Sequence, residues 1–200
     1  MKAQQCFAHK VVWITGASSG LGEALAKAFA EQDAQVILTA RRAEVLEQVR
    51  QSLKHPERHV VIAADVTNES QMRHAYAEVL QHKGRIDLLI NNAGLSQRAL
   101  ITDTTMHTER AIMEVHYFSQ VLLTKTVLPT FLQQKTGRIV FISSVAGLLG
   151  TQYRATYSAA KAAIHMWANS LRAEVAEHGV KVSVVFPGFV KTNVSFNALN

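Results

Sequence analysis

Tyr157 and Lys161 stand four residues apart in Thr156-Tyr157-Ser158-Ala159-Ala160-Lys161. On a helix, residues i and i+4 share a face, which sets a phenol beside an ammonium. A free tyrosine, with a pKa near ~10, is a poor acid or base at neutral pH. Bringing it to neutrality takes a shift of ~3 units, or ~4 kcal/mol. One ammonium at ~4 Å and an effective dielectric of ~20 supplies about that much. The pair is therefore a candidate tuned proton donor or acceptor. A surface lysine near a half-buried tyrosine has the same spacing by chance, so the rest of the chain must decide.

A second group of residues suits phosphate. Gly16, Gly20 and Gly22 follow the apolar run Val11-Val12-Trp13-Ile14 and open a helical pattern. Backbone amides at a helix N-terminus attract anions, and residues without side chains let a pyrophosphate approach. The spacing is G-x3-G-x-G rather than the commoner G-x-G-x-x-G. Further on, Thr39-Ala40-Arg41-Arg42 ends a second apolar run. Dinucleotide sites for NAD usually place an acid there for the ribose 2′-OH. Ala40 holds that place, and Arg41 and Arg42 match a 2′-phosphate as bidentate donors. Two solvated arginines are the plainer alternative, but cations at a helix N-terminus are unfavourable.

These groups need a frame. Strands are expected at Val11 to Ile14, Gln35 to Thr39, His59 to Ala63, Ile86 to Ile90, Gly137 to Ile142 and Val180 to Val185. Helices are expected from Leu21, with Leu25, Ala28 and Phe29 on its apolar face. Others should run over Ala43 to Leu53, Glu69 to Gln81, Thr108 to Gln134 and Ala155 to His178. Apolar strands alternating with helices imply a parallel sheet buried on both faces. Right-handed crossovers make it doubly wound, with ligands bound beyond the carboxyl ends of the strands. Each motif falls at such an end.

Composition narrows the classes. Two hundred residues, 48% of them hydrophobic, fit one domain over 1–200. No apolar run approaches the ~18 residues of a membrane span. A single cysteine, Cys6, cannot form an internal disulfide, which favours a reducing, cytoplasmic setting. The formal charge of +6 is scattered rather than striped, and it fits an anionic small molecule as well as nucleic acid. No metal site is expected.

Taken in order, the motifs resemble the short-chain dehydrogenase/reductase family, a single-domain Rossmann fold with strand order 3-2-1-4-5-6. Thr15-Gly16-Ala17-Ser18-Ser19-Gly20-Leu21-Gly22 is similar to its cofactor loop, and Asp65-Val66 to its adenine contact. Asn91-Asn92-Ala93-Gly94, Ile142-Ser143-Ser144, Tyr157 with Lys161, and Pro187-Gly188 with Thr192 complete the set over about residues 10 to 195. The resemblance implies an NADP(H)-dependent oxidoreductase acting on a carbonyl or secondary alcohol. It makes Tyr157 the general acid and base, and Lys161 its electrostatic partner and ribose ligand. Ser144, thirteen residues before Tyr157, is preferred over Ser143 as the donor to the substrate oxygen. Asn92, Ala93 and Gly94 would line the cofactor groove, and Val190 and Thr192 would meet the carboxamide. The Arg pair and the run after Pro187 are similar to the branch that holds hydroxysteroid and carbonyl reducers. A homodimer or higher homo-oligomer is expected through the two long helices, with Val121, Leu122, Ile164, Met166 and Trp167 on their outer faces.

Two departures stand against that pattern. His116 occupies the place of the family's helix asparagine, which holds a local distortion and a relay water. Imidazole both donates and accepts, so His116 either substitutes or merely fills the site. The chain also stops at Asn200, where a substrate-covering lobe and seventh strand should follow. Either the sequence is truncated, which is favoured, or much of the substrate pocket is missing. A nucleotide-binding sensor or scaffold with little turnover is the alternative function.

Overall fold

The computed structural model describes residues 6–190 and 198–199. Six strands form one parallel sheet: β1 (Val11–Thr15), β2 (Gln35–Ala40), β3 (Val60–Ala63), β4 (Leu88–Asn91), β6 (Gly137–Ile142) and β7 (Val180–Val185). Their order is β3-β2-β1-β4-β6-β7, the doubly wound order expected from the alternating runs. A short β5 (Ser96–Gln97) pairs separately with β8 (Ala198–Leu199). The helices are α1 (Gly20–Glu31), α2 (Ala43–Gln51), α3 (Glu69–Lys83), α4 (Met106–Met113), α5 (Ser119–Gln134) and α6 (Ala155–Glu174).

Alternation along each strand divides the core in two. Trp13, Ile37, Leu89, Ile139 and Phe141 face one side, against Met72 and Val79 of α3, Leu123 and Phe131 of α5, and Ile164 and Leu171 of α6. Val12, Ile14, Val36, Leu38 and Ile90 face the other, against α1 and α2. Full burial of each large apolar side chain contributes ~1.5–3 kcal/mol. Trp13 is fully buried, and its indole N–H donates to Thr39 Oγ1 at 2.8 Å across the β1–β2 pair.

Four expectations for the helices change. In α1 the buried line is Gly22, Ala26 and Ala30, while Ala28 is exposed and Leu21, Leu25 and Phe29 flank the contact. Small residues let this helix lie close over the sheet, so the bulkiest apolar side chains sit at its margins. Ile164 turns inward, fully buried against the sheet, and does not lie on an outer face. The long helix is not continuous: a π-helical segment, Glu114–Phe118, separates α4 from α5. The helix bearing Tyr157 ends its α-helical run at Glu174, and a 3₁₀ turn covers Ala176–His178.

Candidate active site

The glycine loop fills the bend between β1 and α1. Gly16 has φ +66°, and a Cβ there would lie 2.8 Å from the Ala93 Cα. A Cβ at Gly22 would lie 2.2 Å from the Gly16 carbonyl oxygen. Only glycine lets this turn, the helix and the end of β4 close on one another. The hydroxyl of Ser19, the residue before α1, makes no capping bond. Among the described residues no side chain accepts from the first-turn amides of Gly20, Leu21 and Gly22, the groups that draw an anion to a helix end. Ser18 lies in the same bend.

The end of β4 is stitched to this loop. Thr15 Oγ1 accepts from the N–H groups of Asn92 (3.1 Å) and Ala93 (3.2 Å). Asn92 Nδ2 donates to the carbonyls of Thr15 (2.9 Å) and Gly16 (3.2 Å). Toward the other edge, Arg41 and Arg42 follow β2 with exposed side chains. Past β3, Asp65 accepts from the Thr67 N–H (2.9 Å) and hydroxyl (2.8 Å), and Val66 packs on the core. The strand order sets these four residues away from Tyr157, along one crest of the sheet, as an extended dinucleotide requires.

Tyr157 and Lys161 lie in the first turns of α6. Lys161 is 3% exposed, and its ammonium donates to the Ile142 carbonyl at 2.6 Å. Burial pushes its pKa down to about 7. Its Nζ lies 5.7 Å from the centroid of the Tyr157 ring, and the Arg154 guanidinium carbon stands at the same 5.7 Å. Ser143 is buried and donates to the Lys161 carbonyl at 3.0 Å. The Ser144 oxygen accepts from the Ala146 N–H at 3.1 Å and is partly exposed. Among the described residues its hydroxyl hydrogen has no acceptor, which distinguishes it from Ser143. Gly147 ends the turn after Ser144 so close to α6 that a Cβ there would lie 2.8 Å from the Lys161 Cβ.

His116 sits in the π segment and is 1% exposed. Its Nε2 lies 3.0 Å from the Leu95 N–H nitrogen and 2.7 Å from the Leu95 oxygen. Its ring stands edge-on to that of Tyr157, centroids 5.2 Å apart. Its Cε1 would lie 2.7 Å from a Cβ at Gly94. Burial first, then the charge of Lys161, hold its pKa well below the usual histidine range, against the opposing Leu95 bond. The ring is therefore neutral at neutral pH, and its Nδ1 has no hydrogen-bond partner among the described residues.

The structure thus brings Tyr157, Lys161 and His116 together, with Ser144 on the adjoining turn. Val145 N–H donates to the Pro187 carbonyl at 3.1 Å, tying in the loop after β7. Gly188 and Val190 are exposed there, and Thr192 lies outside the described residues. Among the described residues no cluster of His, Cys, Asp or Glu is arranged to hold a metal. A cavity of about 490 Å³ opens beside the start of α6, lined by Arg98, Ala99, Leu100, Asp103 and Tyr153. Arg154 escapes the reading of the sequence and leaves no signal there. Thr15 enters it only as the start of the loop motif, and Ser143 only as the serine passed over for Ser144.

Residues 10–199 match the family described as short chain dehydrogenase. The chain is 42% identical over 210 residues to an Anopheles gambiae protein named dehydrogenase/reductase SDR family protein 7-like, covering all of this chain and 66% of that one. It is 40% identical over 196 residues to the Mus musculus dehydrogenase/reductase SDR family member 7B, covering 96% of this chain and 61% of the other. It therefore spans just under two thirds of these relatives. Among solved structures, a short-chain dehydrogenase from Streptomyces avermitilis superposes with TM-score 0.88 at 37% identity, covering 96% of this chain and 69% of that one. A short chain dehydrogenase/reductase from Burkholderia phymatum, in complex with NAD, gives TM-score 0.91 at 26% identity with the same coverage.

Proposed function

The chain belongs to the short-chain dehydrogenase/reductase family, and from that premise we propose an NADP(H)-dependent oxidoreductase of carbonyls or secondary alcohols. The observation that carries this reading is one line of contact. It runs from Gly16 through Asn92 and Gly94 to His116, Tyr157 and Lys161. A pure nucleotide binder needs the glycine loop but not a phenol held against a buried lysine.

The residues present fit a nicotinamide dinucleotide. Gly16, Gly20, Leu21 and Gly22, with Ser18 and Ser19, would hold the pyrophosphate. Asp65 and Val66 would meet the adenine, and Asn92, Ala93 and Gly94 would line the groove. Pro187, Gly188, Val190 and Thr192 would approach the carboxamide. Arg41 and Arg42 support NADP over NAD, because each offers a guanidinium where a 2′-phosphate would lie. When bound, the cofactor exchanges a hydride with the substrate carbon. Tyr157 gives a proton to the carbonyl oxygen in reduction and takes it back in oxidation. Ser144 donates to the same oxygen, stabilising its developing charge. Lys161 binds ribose hydroxyls and supplies positive charge near the phenol. The cavity beside Tyr153 is the entry for a small carbonyl substrate.

A second reading, a nucleotide sensor with little turnover, draws on His116, a neutral imidazole in the place of the family's asparagine. An isologous dimer through α5 and α6 and a cytoplasmic setting, the latter supported by the lone Cys6, complete the proposal. Turnover of a panel of ketones with NADPH, loss of it in Tyr157→Phe, and retained NADPH binding in that variant test it. No turnover in a chain of the relatives' full length would move the balance to the sensor.

A further inference from the structure

The helix that carries Tyr157 begins without a cap of its own. Arg154 precedes it and makes no side-chain capping bond. The N–H groups of Thr156 and Tyr157 nonetheless have an acceptor: the Gln97 Oε1, at 3.1 and 3.2 Å. These are the second and third amides of the helix, the two that a capping side chain ordinarily satisfies. Gln97 lies 60 residues before Tyr157 and is fully buried. Its other end is also fixed, since Nε2 donates to Thr104 Oγ1 at 3.0 Å, and that hydroxyl donates to the Leu100 carbonyl at 2.8 Å. A second tie lies alongside: Thr156 Oγ1 donates to Glu109 Oε2.

We propose that Gln97 is a positioning residue, a cap supplied from outside the helix that fixes the turn holding the Tyr157 phenol. The short segment from Asn92 to Gln97 touches the glycine loop, His116 and the start of α6. Asn92 grips the carbonyls of Thr15 and Gly16, Leu95 grips His116, and Gln97 grips the backbone of Tyr157 itself. Six residues thus set the distance between the phosphate loop and the proton carrier. Gln suits the task because its oxygen accepts both amides while its nitrogen answers a hydroxyl. An apolar side chain of the same size would orphan two N–H groups, one buried and one partly buried. The catalytic consequence rests on the reading of Tyr157 given above; the cap itself does not.

Gln97→Met and Gln97→Glu in the full chain test this, read by amide hydrogen exchange, NADPH fluorescence titration and ketone reduction. Gln97→Met should speed exchange at Thr156 and Tyr157 about tenfold, with α3 unchanged. It should lower kcat about tenfold or more while KM and NADPH affinity move by less than about threefold. Gln97→Glu keeps the acceptor and should restore both the protection and most of kcat. Unchanged exchange in Gln97→Met overturns the proposal. So does faster exchange throughout the protein without recovery in Gln97→Glu, which marks a general loss of stability. A wild-type chain inert to every ketone, yet protected at Thr156 and Tyr157 through Gln97, removes the proton-carrier reading and upholds the cap.

Discussion

On the proposed mechanism, the chemistry at Tyr157 reduces to one hydroxyl. Tyr157→Phe should lower turnover by about 10²–10⁴-fold, the usual worth of a positioned acid or base, with NADPH affinity nearly unchanged. Lys161→Ala should damage both, since on that mechanism its ammonium would serve the cofactor and the phenol; steady-state kinetics beside binding titrations separate the two. Arg41→Ala with Arg42→Ala should erase an NADPH preference of about tenfold or more, from two charge-assisted contacts discounted for exposure. Equal affinity for NADH and NADPH in the parent would refute it. His116 adds a pH effect. Its folded pKa lies well below the 6.5 of a free histidine because it is buried. Above that value both folded and unfolded forms are neutral and nothing changes. Below it the unfolded chain takes a proton that the folded one refuses, so stability falls with falling pH. Buried His59 acts in the same direction. Urea melts from pH 8 to 5 should show this decline, and His116→Asn should make it shallower.

Elements hold these groups by close approach rather than by many bonds. Gly22→Ala drives a methyl into the Gly16 carbonyl, 2.2 Å away. Overpacking of that kind costs about 1–3 kcal/mol, and thermal melts should fall by several degrees. NADPH affinity should fall with it, since the loop must open to make room. Much of this level was legible. Gly137 to Ile142 and Val180 to Val185 form strands at the limits expected, because continuous apolar runs between turn residues leave little choice. Tyr157 and Lys161 share a helix as their spacing demands. The π segment at His116 was legible only through the resemblance, whose asparagine holds a helix distortion at that place; periodicity alone left no trace of it. Ala28 misled because periodicity finds a stripe without saying which edge of it touches the sheet. Gln97 was invisible for a plainer reason: its partners lie some sixty residues downstream, and no local pattern reports a contact at that range.

For the molecule as a whole, the exposed apolar side chains on the α5–α6 side are those that the proposed second copy would cover. Phe118 is 52% exposed and Met166 60%, and Leu132 is less so at 36%. An isologous pair would bury them. Phe118→Glu with Met166→Glu should then convert a dimer at micromolar concentration to monomer in sedimentation, without loss of fold. A parent that is already monomeric would refute the pairing.

The strand order has one more consequence, in time rather than space. β1 lies at the centre of the sheet and pairs with both β2 and β4. Val12 finds Val36 early in synthesis but must wait for Leu88 to leave the ribosome. Until then one edge of this fully buried strand stands open beside a half-built layer. Closing so long a loop is entropically slow, and open edges invite aggregation. Nascent chains halted before residue 88 should therefore need chaperone protection, while chains that have released β4 and β6 should not.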